Sequence, residues 1–133
     1  MKISYDQTTD SLYLHLANCV SVDSEEVTAG VVLDYDINGV AVGIDVQQVS
    51  QRTDLNNAAM KFTYLEKEDI FQVHLSYKTI ARAASPDWHT NLSYAEDGTI
   101  VEIVLLDAKK EDLLPVEFRK AGWPRAVTKC ARC

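Results

Sequence analysis

Only three of the 133 residues are cysteine and five are glycine, and no run of apolar residues long enough to cross a bilayer, about eighteen, occurs anywhere in the chain. An odd number of cysteines argues against a disulfide framework, which a chain of this length does not need to fold. With so few glycines there is little scope for a loop that cradles phosphates, and neither a GxSxG elbow nor an HExxH helix is present. The paired carboxylates sit on turns, where nothing suggests a cleft that would drive their pKa values apart. Catalysis thus lacks a constellation, and the chain reads as a non-enzyme. The opening MKISYDQTTD has no charged segment followed by an apolar one, so it is not a signal peptide, and a cytoplasmic protein is expected. Bases are scarce too, with 13 Lys and Arg against 20 Asp and Glu, a net charge of −7. That balance speaks against nucleic acid or an anionic membrane as partner and for cations or a basic protein.

The acidity is uneven. Residues 1–59 hold nine acids (Asp6, Asp10, Asp23, Glu25, Glu26, Asp34, Asp36, Asp45 and Asp54) against two bases, Lys2 and Arg52, which accounts for the whole net charge, and residues 60–133 balance. A strongly anionic half tied to a neutral one accepts self-repulsion and attracts something positive, although acidity kept for solubility gives the same composition.

What is abundant is internal repetition. Shifting the sequence by 59 positions aligns its two halves without a gap: Tyr5 with Tyr64, Asp10 with Asp69, His15 with His74, Leu16 with Leu75, Leu33 with Leu92, Tyr35 with Tyr94, Gly39 with Gly98 and Ile44 with Ile103. Within each copy apolar residues recur with period two (Ile3 and Tyr5; Leu12, Leu14 and Leu16; Val31 and Leu33; Val40, Val42, Ile44 and Val46), which predicts four strands. The connections are the Asp6 to Asp10 turn, an acidic loop from about residue 17 to 29, and the Asp36-Ile37-Asn38-Gly39 hairpin, where Asn-Gly suits positive φ. The expected fold is all-β: two tandem four-stranded antiparallel meanders (residues 1–59 and 60–111) packed into one compact pseudo-twofold sandwich or barrel. Leu14, Leu16, Val31, Leu33, Val42 and their repeat partners form its core. A C-terminal extension, residues 112–133, is expected as a short helix or turn followed by a flexible end.

The opening MKISYD, the DSLYLHL strand, the acidic SEEV and the run GVVLDYDINGVAVGIDV resemble a small bacterial family of unknown function that begins with this β-meander. The likeness is good over residues 1 to about 52 and weak over about 60 to 111, where SEEV and the paired Asp of LDYD are missing. The tandem acidic arrangement also resembles a cyanobacterial calcium-binding protein that holds the ion on a compact β fold without helix-loop-helix motifs. The family implies a fold and little chemistry.

The chemistry is read from Asp34-Tyr35-Asp36-Ile37-Asn38-Gly39, which has the D-x-D-x-N-G spacing of an oxygen-rich calcium loop, with Asp45 at the twelfth position. Flanks of period two exclude an EF-hand, and a strand places Asp45 about 13 Å from the turn, too far to close the site. In an up-and-down meander the first and third connections fall at the same end of the sheet, so Asp6, Asp10, Asp34, Asp36 and Asn38 are expected to converge as calcium ligands. The alternative is that these Asp and Asn side chains cap their own tight turns. Asp23-Ser24-Glu25-Glu26 at the other end reads as a solvated acidic loop or a weaker second site, and Glu66, Glu68, Asp69, Glu96 and Asp97 as a counterpart in the second copy. His15 and His74 read as hydrogen-bonded strand histidines, and Cys130-x-x-Cys133 is half of a zinc ribbon without a second half. Two functions follow: a calcium-binding protein that buffers or senses the ion, or an acidic interaction module, antitoxin-like, that neutralises a small basic protein.

Overall fold

The structure, a computed structural model, describes residues 1–6, 8–49 and 61–120. All eleven regular elements of the described residues are strands: β1 (Lys2–Asp6), β2 (Ser11–His15), β3 (Asp23–Thr28), β4 (Val31–Tyr35), β5 (Ala41–Val46), β6 (Lys61–Leu65), β7 (Ile70–His74), β8 (Arg82–Asp87), β9 (Thr90–Tyr94), β10 (Ile100–Leu106) and β11 (Glu117–Lys120). The chain divides into two units, residues 1–49 with 111–133 and residues 50–110, each built on one open sheet. The first sheet runs β11-β1-β2-β5-β4-β3 and the second β6-β7-β10-β9-β8. Each copy thus has five strands where the apolar pattern predicts four, and neither sheet closes into a barrel.

The additional strand lies in the acidic loop. β3 and its counterpart β8 are edge strands whose first four residues are exposed on both faces, so no alternation of apolar residues betrays them. Acids are also poor strand formers, which completes the disguise. The chain leaves β2, crosses the ends of β5 and β4 through residues 16–22 and enters β3 on the far side. Backbone bonds from Leu16 N–H to the Val42 carbonyl (2.9 Å) and from Val22 N–H to the Tyr35 carbonyl (2.9 Å) anchor the crossing.

One more strand reverses the parity of everything after it. β5 runs antiparallel to both β2 and β4, so the β4–β5 hairpin lies at the end of the sheet where β2 finishes, opposite the β1–β2 turn. A five-residue strand separates the two turns, about 17 Å at 3.4 Å per residue. The expected convergence of the Asp6–Asp10 turn with the Asp34–Asn38 turn is therefore corrected. The second sheet has the same order and the same separation.

The core follows the predicted pattern. Leu14, Leu16, Val31, Leu33 and Val42 are all buried, as are their partners Val73, Leu75, Thr90, Leu92 and Val101. Each fully buried Leu or Ile side chain stabilises the fold by about 1.5–3 kcal/mol. The repeat extends to the backbone, since Asp10 and Asp69 take φ of 54° and 55°, and Gln48 and Asp107 take 52° and 54°. The C-terminal segment returns to the first unit. There β11 pairs in parallel with β1, Lys2 opposite Glu117, and the Met1 ammonium donates to the Leu113 carbonyl at 2.6 Å.

Candidate functional site

Each turn aspartate of the first unit is occupied by its own turn. The Asp6 carboxylate accepts the Thr8 N–H at 2.9 Å and the Thr9 N–H at 3.4 Å. Asp10 accepts the Tyr5 hydroxyl at 2.7 Å, and its carbonyl accepts the Val49 N–H. Asp36 accepts the N–H groups of Asn38 (2.9 Å) and Val40 (3.0 Å) through the same Oδ1, while Asn38 stands at the exposed apex and Gly39 takes φ of 76°. These are side-chain caps of tight turns.

Asp34 is different, because it lies within β4 on the face opposite the buried leucines. Register places Lys2, His15, Gly43, Asp34 and Ser24 in one row across the sheet, and Ser4, Tyr13, Asp45, Val32 and Glu26 in the next. The Tyr13 hydroxyl donates to Asp34 Oδ2 at 3.0 Å and the Ser24 hydroxyl to Oδ1 at 2.6 Å. Gly43 makes room for this: a Cβ there would collide with the Tyr13 hydroxyl, lie 2.8 Å from its Cζ and 3.1 Å from Asp34 Oδ2. Burial first, then the charge and hydrogen bond of Asp34, then the charge of Asp45, push the Tyr13 phenol far above its ordinary range. Two carboxylates thus bear on one phenol. Asp45 cannot close the hairpin turn, as the sequence indicates; in the sheet it stands opposite Tyr13 and Val32, in the row next to that of Asp34. Its position after Ile44 carried the signal, since period two sets it on the face of Tyr13 and Asp34.

In the second unit Asp97 and Asp69 are held by a cation and by backbone amides. Lys78 Nζ meets Asp97 Oδ2 at 2.7 Å, and that ammonium together with the Thr99 N–H holds the Asp97 carboxyl well below the usual range. Desolvation opposes ionisation of Asp69, but hydrogen bonds from the Lys109 N–H, the Tyr64 hydroxyl and the Lys110 N–H keep its pKa lowered. The bond to Asp69 in turn pushes the Tyr64 phenol up to about 12. Glu66 and Asp69 bound one turn while Glu96 and Asp97 occupy the hairpin at the other end, so the acids of the second copy are not gathered either. His74 lies 3.9 Å from Glu102, and buried His89 lies 3.3 Å from Asp87. Among the described residues, Asp23, Glu25, Glu26, Asp34, Asp36 and Asp45 of the first unit enter no ion pair, and neither do Glu66, Glu68 and Glu96 of the second.

His15 is hydrogen-bonded to Asn18 at 2.9 Å, a strand histidine with a local partner. Cys19 is disulfide-bonded, although the odd cysteine count argues against a disulfide framework, and Cys130 and Cys133 lie outside the described residues. Among the described residues no group of three or more His, Cys, Asp and Glu is placed to hold a metal ion. No helix among them is long and apolar enough to cross a membrane. No curated protein and no solved structure matches the chain. The two copies themselves each match one family model, over residues 2–50 and 61–109, and the chain belongs to that family, described as a protein of unknown function (DUF2283).

Proposed function

We propose that the chain binds calcium through carboxylates of its first unit and serves to buffer or sense the ion. The observation that carries this reading is the sheet face of the first unit, where Asp34 and Asp45 stand in adjacent rows, the hydroxyls of Tyr13 and Ser24 meet Asp34, and neither carboxylate has a cationic partner among the described residues. Asp34 and Asp45 with the hydroxyls of Tyr13 and Ser24 offer hard oxygen donors, which favour calcium over zinc or copper. Water would supply the remainder of the six to eight ligands, a composition suited to affinities in the range of about 10⁻⁴–10⁻³ M. The likeness of the sequence to a calcium-binding protein on a compact β fold agrees with it.

Calorimetric titration with calcium in physiological salt, with magnesium as competitor, tests the reading. Calcium is expected to bind, and to raise the melting temperature more than magnesium does, because magnesium resists dehydration and requires stricter octahedral geometry. Asp34→Asn keeps the shape and removes the charge, so calcium affinity is expected to fall tenfold or more, about 1.4 kcal/mol per factor of ten. Asp36→Ala serves as a comparison that disturbs the turn but not the sheet face. Equal shifts with both ions, or an unchanged affinity in Asp34→Asn, would sink the assignment. A second reading, the acidic interaction module, is favoured by the exposed acidic edge strand β3.

A further inference from the structure

We infer that β3 is a docking edge that takes up a basic extended segment of another protein as an added strand of the first sheet. Among the described residues β3 is the last strand in its sheet, and its Asp23–Glu26 stretch pairs with β4 alone. Along such an edge alternate N–H and C=O groups point outward and are available for pairing with another chain. Asp23, Ser24, Glu25 and Glu26 are exposed in succession, so neither face of the edge is screened by a neighbouring element.

Charge and the equivalent edge identify the occupant. Three carboxylates in four residues place Asp23 and Glu25 on one face and Glu26 on the other, so an incoming strand meets negative charge on both sides and gains most from Lys or Arg at successive positions. A second copy of β3 would set six carboxylates side by side, which excludes pairing between identical edges. Val20 and Val22, 79% and 59% exposed, precede the strand and offer an apolar contact at its entry. The matching edge of the second unit lacks the acidic pattern. β8 reads Arg82-Ala-Ala-Ser-Pro86-Asp87, in which the acids are replaced by Arg82 and small residues and Pro86 has no N–H to offer a partner. A charged edge is also a device against aggregation, but the pattern here favours one sign of partner, a selection that the sequence of β8 does not make.

The test uses the full chain and two synthetic peptides with runs of consecutive Lys flanked by Val, which carry positive charge on both faces of a strand, identical except that one is N-methylated at every second residue on the edge meant to pair. The unmodified peptide is expected to bind, to shift and protect from exchange the backbone amides of Glu25 or Glu26, and to lose affinity from about 50 to 200 mM salt. The methylated peptide keeps the charge but lacks the donors, and is expected to bind at least tenfold more weakly. The double substitution Glu25→Lys/Glu26→Lys should abolish binding while leaving the amide spectrum of the second unit unchanged. Equal binding of both peptides overturns the inference, since it would mean diffuse attraction to an acidic surface. So does slow exchange of outward β3 amides in the free protein, because the edge would then be covered already, by this chain at any concentration or by a second copy as concentration rises. Calcium titration of the same samples is read separately, so failure of the docking edge leaves the Asp34 assignment standing.

Discussion

On the outer face of the first sheet stand Tyr13, Asp34, Gly43 and Asp45; at the same four places the second sheet has Gln72, Ser93, Glu102 and Val104. The backbone plan is shared, down to the strand order and the positive φ at matching turns. What differs is how charge is disposed. In the second unit Glu102 stands where the first has a glycine, and it faces His74 across the strand pair. In the first, removal of that side chain lets the Tyr13 ring lie over the backbone and reach Asp34. Residues common to both copies hold the fold, as Tyr5–Asp10 and Tyr64–Asp69 do with bonds of 2.7 Å each.

The most direct way to break the comparison is Gly43→Ala. Its Cβ would force Tyr13 off the sheet or shift β2 and β5, a cost of about 1–3 kcal/mol by the usual scale of overpacking. In a Tyr13→Gln background, which installs the residue of the second copy, most of that penalty should vanish. Urea denaturation of the four proteins measures the coupling, and equal costs in both backgrounds would show that Tyr13 is not what Gly43 accommodates.

Asp36→Ala comes next. It removes the acceptor of two backbone N–H groups at the first hairpin, and the expected loss is about 1–2 kcal/mol of stability in metal-free protein. Unchanged metal-free stability would return Asp36 to the list of ligands.

The smallest effect sharpens the contrast by acid titration. Asp97 and Asp69 have folded pKa values below their unfolded ones, so what they contribute is present above the ordinary Asp range near 3.9 and is lost as pH falls through the depressed values. Replacing Lys78 by Met should move the Asp97 carboxyl part of the way back towards that range, leaving the Thr99 N–H to hold the remainder. Residue-resolved carboxyl titration by NMR follows both groups, and an Asp97 that titrates identically in wild type and Lys78→Met would remove the ion pair from the account.

How much of this the sequence discloses depends on whether burial writes a pattern. Leu14, Leu33, Ile44 and their partners alternate because one face of each strand is buried, and the core was legible from them alone. β3 left no such trace, since an edge exposed on both faces selects nothing apolar. Missing that one strand inverted the end at which the β4–β5 hairpin lies, so residues expected to converge are about 17 Å apart. The D-x-D-x-N-G run was visible, but in the fold it resolves into a capping Asp36 and a sheet-face Asp34 whose neighbours Tyr13 and Ser24 are 21 and 10 residues away in the chain. Such long-range proximity is set by register, which no local motif encodes.

The parallel pairing of β1 with β11 bears on how the molecule is made. Lys2 finds Glu117 only after the whole second unit has been synthesised between them, whereas every pairing of the second sheet joins residues no further apart than Ile70 and Leu106. During vectorial synthesis, at about 5–20 residues per second, the first-translated strand waits several seconds with one edge uncovered. The later half of the repeat can complete its sheet as soon as β10 emerges. Order of translation and order of completion are thus reversed, and one edge of β1 in the nascent chain lacks its β11 partner for as long as β11 remains in the ribosome.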